Sequence, residues 1–162
     1  MILLDSDVLI DLLRKYPPAV GWFDALPQDE ELVVSGYVVM ELIQGCRNNA
    51  EQERLQRELA PYGVVWLAPP YCDQALEVFV AYRLSNNAGM LDVLIGQTAV
   101  VLGVPLHTFN QRHYSFIPGI QTTQPYAKSN KKAGWCIFPL VASCTGAVGA
   151  GYTAGFAGRR RA

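Results

Sequence analysis

The chain is short of the residues that most often carry enzyme chemistry. It has two histidines in 162 residues, His107 and His113. Neither stands at metal-ligand spacing from a second histidine or cysteine, and neither has a matching nucleophile, so a zinc site or a Ser-His or Cys-His hydrolase is not expected. The four cysteines, Cys46, Cys72, Cys136 and Cys144, make no C-x-x-C pair. A disulfide framework is not expected in a chain of this size, and reduced thiols in a cytosol are. The motifs G-x-x-x-x-G-K-[ST], G-x-G-x-x-G and G-x-S-x-G do not occur, which removes the signatures of P-loop, dinucleotide and nucleophile-elbow chemistry. The start of the chain lacks the basic head and long apolar stretch of a signal peptide. There is no internal repeat.

Half of the residues are apolar, 51%, enough for one well-packed core at this length. The net charge of −1 conceals an uneven distribution. Residues 1–126 hold 7 Lys/Arg against 14 Asp/Glu, a net of −7, while residues 127–162 hold 6 basic residues and no acidic one. An acidic body does not attract nucleic acid by itself. If such a body cuts RNA, cations must offset its carboxylates.

Apolar and turn signals alternate along the body. Met1–Leu4, Glu31–Ser35, Val64–Leu67 and Pro105–Phe109 read as four short strands. Between them, helical spacing runs over Val8–Arg14, Pro17–Leu26, Val38–Cys46, Ala50–Ala60, Asp73–Leu84 and Leu91–Leu102. Strands alternating with helix pairs predict a three-layer α/β/α domain with a parallel central sheet over residues 1–126. The tail, 127–162, opens with Lys128, Lys131 and Lys132. It continues with an uncharged Gly/Ala-rich run and closes with Arg159–Arg161. An irregular extension without fixed structure, dispensable for folding and catalysis, is the expectation. Membrane association and docking on the body are secondary readings, because glycines and Pro139 dilute the apolarity.

Three acids are embedded in apolar sequence: Asp5 after Ile2-Leu3-Leu4, Glu41 within Val38–Ile43, and Asp92 within Met90–Ile95. A buried carboxylate is costly unless it is paired or binds metal. A parallel sheet gathers its strand C-termini in one crevice, where these three would form an oxygen-rich site suited to Mg²⁺ or Mn²⁺. Structural roles compete with this reading. Asp5 and Asp92 are good helix caps, and Glu41 could pair with a buried arginine. Asp7 and Asp11, four residues apart, read as first-turn acids rather than ligands.

The segments Leu3–Asp11, Ser35–Gly45, Leu91–Ala99 and Leu106–Tyr114, followed by Ile117-Pro118-Gly119 and Gln124-Pro125-Tyr126, resemble in order the motifs of the VapC-like PIN domains. The resemblance covers residues 1–126 and implies a metal-dependent ribonuclease, the toxin of a toxin–antitoxin pair. It implies Asp5, Glu41 and Asp92 as metal-binding acids using Mg²⁺ or Mn²⁺, and Thr108 as a hydroxyl beside them. RNA would be the substrate, a small antitoxin and a second copy of the chain the partners, and the cytoplasm the compartment, with no membrane involved. Where many relatives carry a fourth acid, this chain has Asn110, with His113 three residues on. Asn110 is retained as a catalytic candidate because its amide can accept from water or coordinate. That departure keeps open a PIN domain that binds RNA or protein without cutting. Asp5-x-Asp7 after an apolar strand is also similar to the nucleophile motif of haloacid-dehalogenase-type phosphatases. Those enzymes need a lysine and a later acidic pair, whereas the body's only lysine is Lys15 and no Asp-Asp follows.

Overall fold

The computed structural model describes residues 1–128. Five strands, β1 (Ile2–Leu4), β2 (Leu32–Ser35), β3 (Gly63–Val65), β4 (Leu106–His107) and β5 (Thr122–Thr123), form one sheet in the order β3-β2-β1-β4-β5. Every neighbouring pair is parallel, with Leu3 opposite both Val33 and Leu106. Helices α1 (Ser6–Leu13), α2 (Pro17–Asp24), α3 (Gly36–Gln44), α4 (Asn49–Leu59), α5 (Pro69–Tyr82), α6 (Met90–Leu102) and α7 (Gln111–Tyr114) fill the connections.

Successive strand side chains point to opposite faces. Leu3 and Leu4 are nonetheless both wholly buried, as are Val33 and Val34 to within a few per cent. Both faces are therefore covered by helices, which is why these strands read as continuous apolar runs rather than alternating ones. The core joins β1, β2 and β4 to Val8, Leu9 and Leu12 of α1, Val38 and Leu42 of α3, and Ile95 and Ala99 of α6. Gly103 ends α6 in the left-handed region, at φ 65°. That conformation suits glycine and turns the chain directly into β4.

The three-layer parallel architecture is as expected, with two additions. The expected count of strands was four; β5 is a fifth, and α7 was not foreseen. Each is too short for a period to show, two residues and four. Helix α5 also starts at Pro69 rather than Asp73, because Pro69-Pro70 occupies its first turn, where a missing N–H costs nothing. At the other end, Tyr126 and Lys128 pack back on the body: the Tyr126 hydroxyl donates to Asp11 Oδ2 at 2.8 Å, and Lys128 Nζ lies 2.8 Å from the same oxygen. The readings made for the rest of the tail, including Cys136 and Cys144, lie outside the described residues. Among the described residues Cys46 and Cys72 are free thiols, and no helix is long and apolar enough to cross a membrane.

Candidate active site

All five strands point the same way, so the residues following them meet along one edge of the sheet. Asp5 follows β1, Thr108 follows β4, and α3, which carries Glu41, starts directly after β2. Asp5 is the best-held of these groups. It caps α1 in an extended conformation, its Oδ1 accepting from the Ser6 N–H at 2.7 Å. Its Oδ2 accepts from the Tyr114 hydroxyl at 2.9 Å, and the Thr108 side chain adds a further hydrogen bond. Thr108 is fixed in turn by the Asn110 N–H, which donates to its Oγ1 at 2.9 Å.

Glu41 reaches the same place from α3, hydrogen-bonded to the Ser6 side chain, so Ser6 touches Asp5 through its backbone and Glu41 through its side chain. Asp92 lies in the first turn of α6, where Gly89 is the cap. A Cβ on Gly89 would fall 2.5 Å from Asp92 Oδ2, so the bare glycine gives that carboxylate its room. The His113 ring stands 3.9 Å from the same oxygen, exposed at the rim. Asn110 is exposed as well, at the start of α7.

The three carboxylates are within reach of one another's charge. Burial pushes Asp5 above the usual carboxylate range, with a smaller push from Asp92, against the hydrogen bonds from Thr108, Ser6 and Tyr114. Burial raises Glu41, and the charges of Asp5 and Asp92 raise it further. Asp92 is raised by burial and eased by His113. Burial and these same acids hold the Tyr114 phenol far above its ordinary range, so it is a fixed proton donor. A group of hard oxygen donors that raise one another's proton affinity has the chemistry of a site for a divalent cation. The spacing is loose, however: among the described residues no three Asp, Glu, His or Cys side chains are gathered tightly enough to grip one ion. That still fits Mg²⁺, which binds through one or two carboxylates and keeps several waters.

Asp5 is at once the cap of α1 and a deeply buried acid beside Glu41 and Asp92. Glu41 pairs with Ser6 instead of an arginine. Asp7 and Asp11 do lie on α1, but each is drawn into tertiary contacts. Asp7 Oδ2 accepts from the Phe109 N–H at 2.9 Å, while its Oδ1 is buried with no hydrogen-bond partner. Asp11 takes Tyr126 and Lys128, and the ammonium of Lys128 sits 4.5 Å from the centre of the Phe109 ring. Sequence reasoning missed Ser6 and Tyr114. The available signals were a hydroxyl next to Asp5 and a tyrosine in the closing motif, neither of which says which acid it meets.

Residues 2–116 match the PIN domain family. The chain is 36% identical over 128 residues to Ribonuclease VapC10 of Mycobacterium tuberculosis, covering 78% of this chain and 94% of that protein. Among solved structures, a toxin-antitoxin complex from Klebsiella pneumoniae superposes with a TM-score of 0.60 at 24% identity, over 78% of this chain and 98% of that one. VapBC-1 from nontypeable Haemophilus influenzae does so with a TM-score of 0.63 at 22% identity, over 77% and 98%. The structural likenesses show a shared fold. Taken with the family match, which runs through β1 to β4 and all three carboxylates, they leave one assignment: this chain belongs to the PIN-domain family.

Proposed function

We propose that the chain is a Mg²⁺- or Mn²⁺-dependent ribonuclease that hydrolyses RNA phosphodiester bonds, and that it serves as the toxin of a toxin–antitoxin pair. The observation that carries this reading is the meeting of Asp5, Glu41 and Asp92, from three separate elements, at one sheet edge in a protein 36% identical to a chain named a ribonuclease. Asp5, Glu41 and Asp92 would hold the ion, directly or through the waters it keeps, and Asn110 would supply an amide at the mouth. When bound, the ion polarises the phosphoryl oxygens and acidifies the attacking water. Glu41 and Asp92, both raised by burial, are candidates to position that water or accept its proton. The Ser6 and Tyr114 donors keep Asp5 in place. No covalent nucleophile is required.

The partners belong to the same proposal. The Klebsiella pneumoniae structure of this fold is a toxin-antitoxin complex, which supports a small antitoxin as partner. A homodimer is supported by α5, where Leu76 and Val80, with Leu84 just beyond the helix, recur every fourth residue and are 61%, 71% and 95% exposed. A cytoplasmic site of action goes with an intracellular RNA target, and the working unit is residues 1–126.

A PIN domain that binds without cutting is the second reading. It is favoured by Asn110 in place of a fourth acid and by the loose spacing of the acids. The phosphatase reading falls with the family assignment. One experiment decides between the first two: the full chain, freed of antitoxin, is incubated with RNA in Mg²⁺, in Mn²⁺ and in chelator. Cleavage is expected only with metal. Asp5→Asn should abolish it while melting at or above the parent temperature, since a buried, repelled charge is removed. Cleavage that persists in chelator overturns the metal mechanism. Metal-supplemented protein that binds RNA but leaves it intact establishes the binding-only reading.

A further inference from the structure

We propose that Tyr114 is a positioning residue of this centre: its buried hydroxyl, donating to Asp5 Oδ2, fixes the plane of the central carboxylate for ion binding. The inference rests on the ribonuclease reading above.

Rotation of a carboxylate about its last bond is broad and nearly two-fold, so the side chain alone does not choose an orientation. The Ser6 N–H holds one oxygen, Oδ1. The Thr108 side chain adds a second bond to this carboxylate. The Tyr114 hydroxyl holds the other oxygen, Oδ2, at 2.9 Å from a different element, and two donors on two oxygens define a plane. An ionised carboxylate oxygen accepts more than one bond, so both oxygens retain capacity for an ion.

The Tyr114 ring lies within the main apolar core and is 2% exposed. A phenol buried there costs free energy unless its O–H finds a partner, and Asp5 is the partner it finds. Tyr114 closes α7, and Thr108, at the other end of the same segment, also bonds Asp5. Residues 108–114 thus grip the carboxylate at both ends, with the Phe109 N–H tied to Asp7 between them.

The test is Tyr114→Phe in the full chain, with three readouts: Mn²⁺ binding by calorimetry without RNA, melting in chelator, and RNA cleavage at low and saturating Mn²⁺. Loss of an outer-shell partner typically weakens metal binding or activity about 10- to 100-fold. The expected result is a rise of that size in the Mn²⁺ Kd, an intact cooperative melt, an unchanged KM for RNA and partial recovery of kcat at saturating Mn²⁺. A variant that binds Mn²⁺ as tightly as the parent overturns the proposal. If Tyr114→Phe does not fold, Tyr114→4-chlorophenylalanine fills the hydroxyl's space without a donor; weakened Mn²⁺ binding then supports the proposal and parental affinity overturns it. A parent that neither binds Mn²⁺ nor cuts RNA overturns the ribonuclease reading itself and this inference with it, an outcome distinct from equal binding by parent and variant.

Discussion

Asp7 lies two residues beyond Asp5, with one oxygen on the Phe109 N–H and the other buried without a partner. Burial, then the charge of Asp5, pushes its carboxyl from 3.8 up to about 7, against the Phe109 bond and the Lys128 charge. The folded chain therefore keeps a proton that the unfolded chain releases. The stability this contributes is fully present below the unfolded value of 3.8 and is lost as pH rises through about 7. In chelator, Asp7→Asn should melt several degrees above the parent at pH 8, because its amide oxygen can keep the Phe109 bond without the charge. The gap should close as the pH is lowered toward 4, as thermal melts across that range would show. A gap independent of pH would mean that the proton is not the cause. From the sequence Asp7 reads as a first-turn acid, and it does occupy that turn. Its bond to a backbone N–H 102 residues away is a product of strand order, which no local pattern contains.

Elements decide how the acids reach the cleft. Helix α3 brings Glu41 because β2 ends at Ser35, whose side chain accepts from the Tyr37 N–H and starts the helix at once. Helix α6 brings Asp92 in its first turn, where the bare Gly89 leaves room for its carboxylate. Gly89→Ala should leave the melt close to the parent's, since the clashing atom is the far end of a rotatable side chain. It should lower metal-dependent cleavage about tenfold, the lower end of what disturbing a ligand's surroundings costs. Parental activity in that variant would show that Asp92 does not need its present rotamer. The longer helices are legible in the sequence because their apolar spacing extends over two turns or more. Helix α7 is not, since four residues cannot display a 3.6-residue period, yet it is the element that delivers Tyr114 to Asp5.

On the scale of the whole molecule, the acidic body and the apolar stripe on α5 bear on assembly. An exposed row of Leu76, Val80 and Leu84 costs solubility in a lone chain and is removed from water when two copies meet. Val80→Glu should shift the sedimentation of the purified chain toward monomer while preserving its circular dichroism. An unchanged sedimentation coefficient would place any dimer contact elsewhere. In the sequence this surface is only part of the helical spacing over Asp73–Leu84, because periodicity locates an apolar face without saying whether the chain itself covers it.

Much was determined by the chain read as a string. Short apolar runs alternating with helical ones require a parallel sheet covered on both faces, and acids set in apolar sequence, Asp5, Glu41 and Asp92, mark where burial must be offset. These are local statements, resting on side-chain period and on the cost of burying charge. The tertiary structure alone decided which hydroxyl meets which acid, and that Asp11 is spoken for by Tyr126 and Lys128. The pairings of Asp5 with Thr108 and Tyr114, and of Asp11 with Tyr126 and Lys128, join residues more than a hundred positions apart. They exist because β4 lies beside β1 in the sheet, a neighbour relation set by the packing of the whole core and written in no single segment.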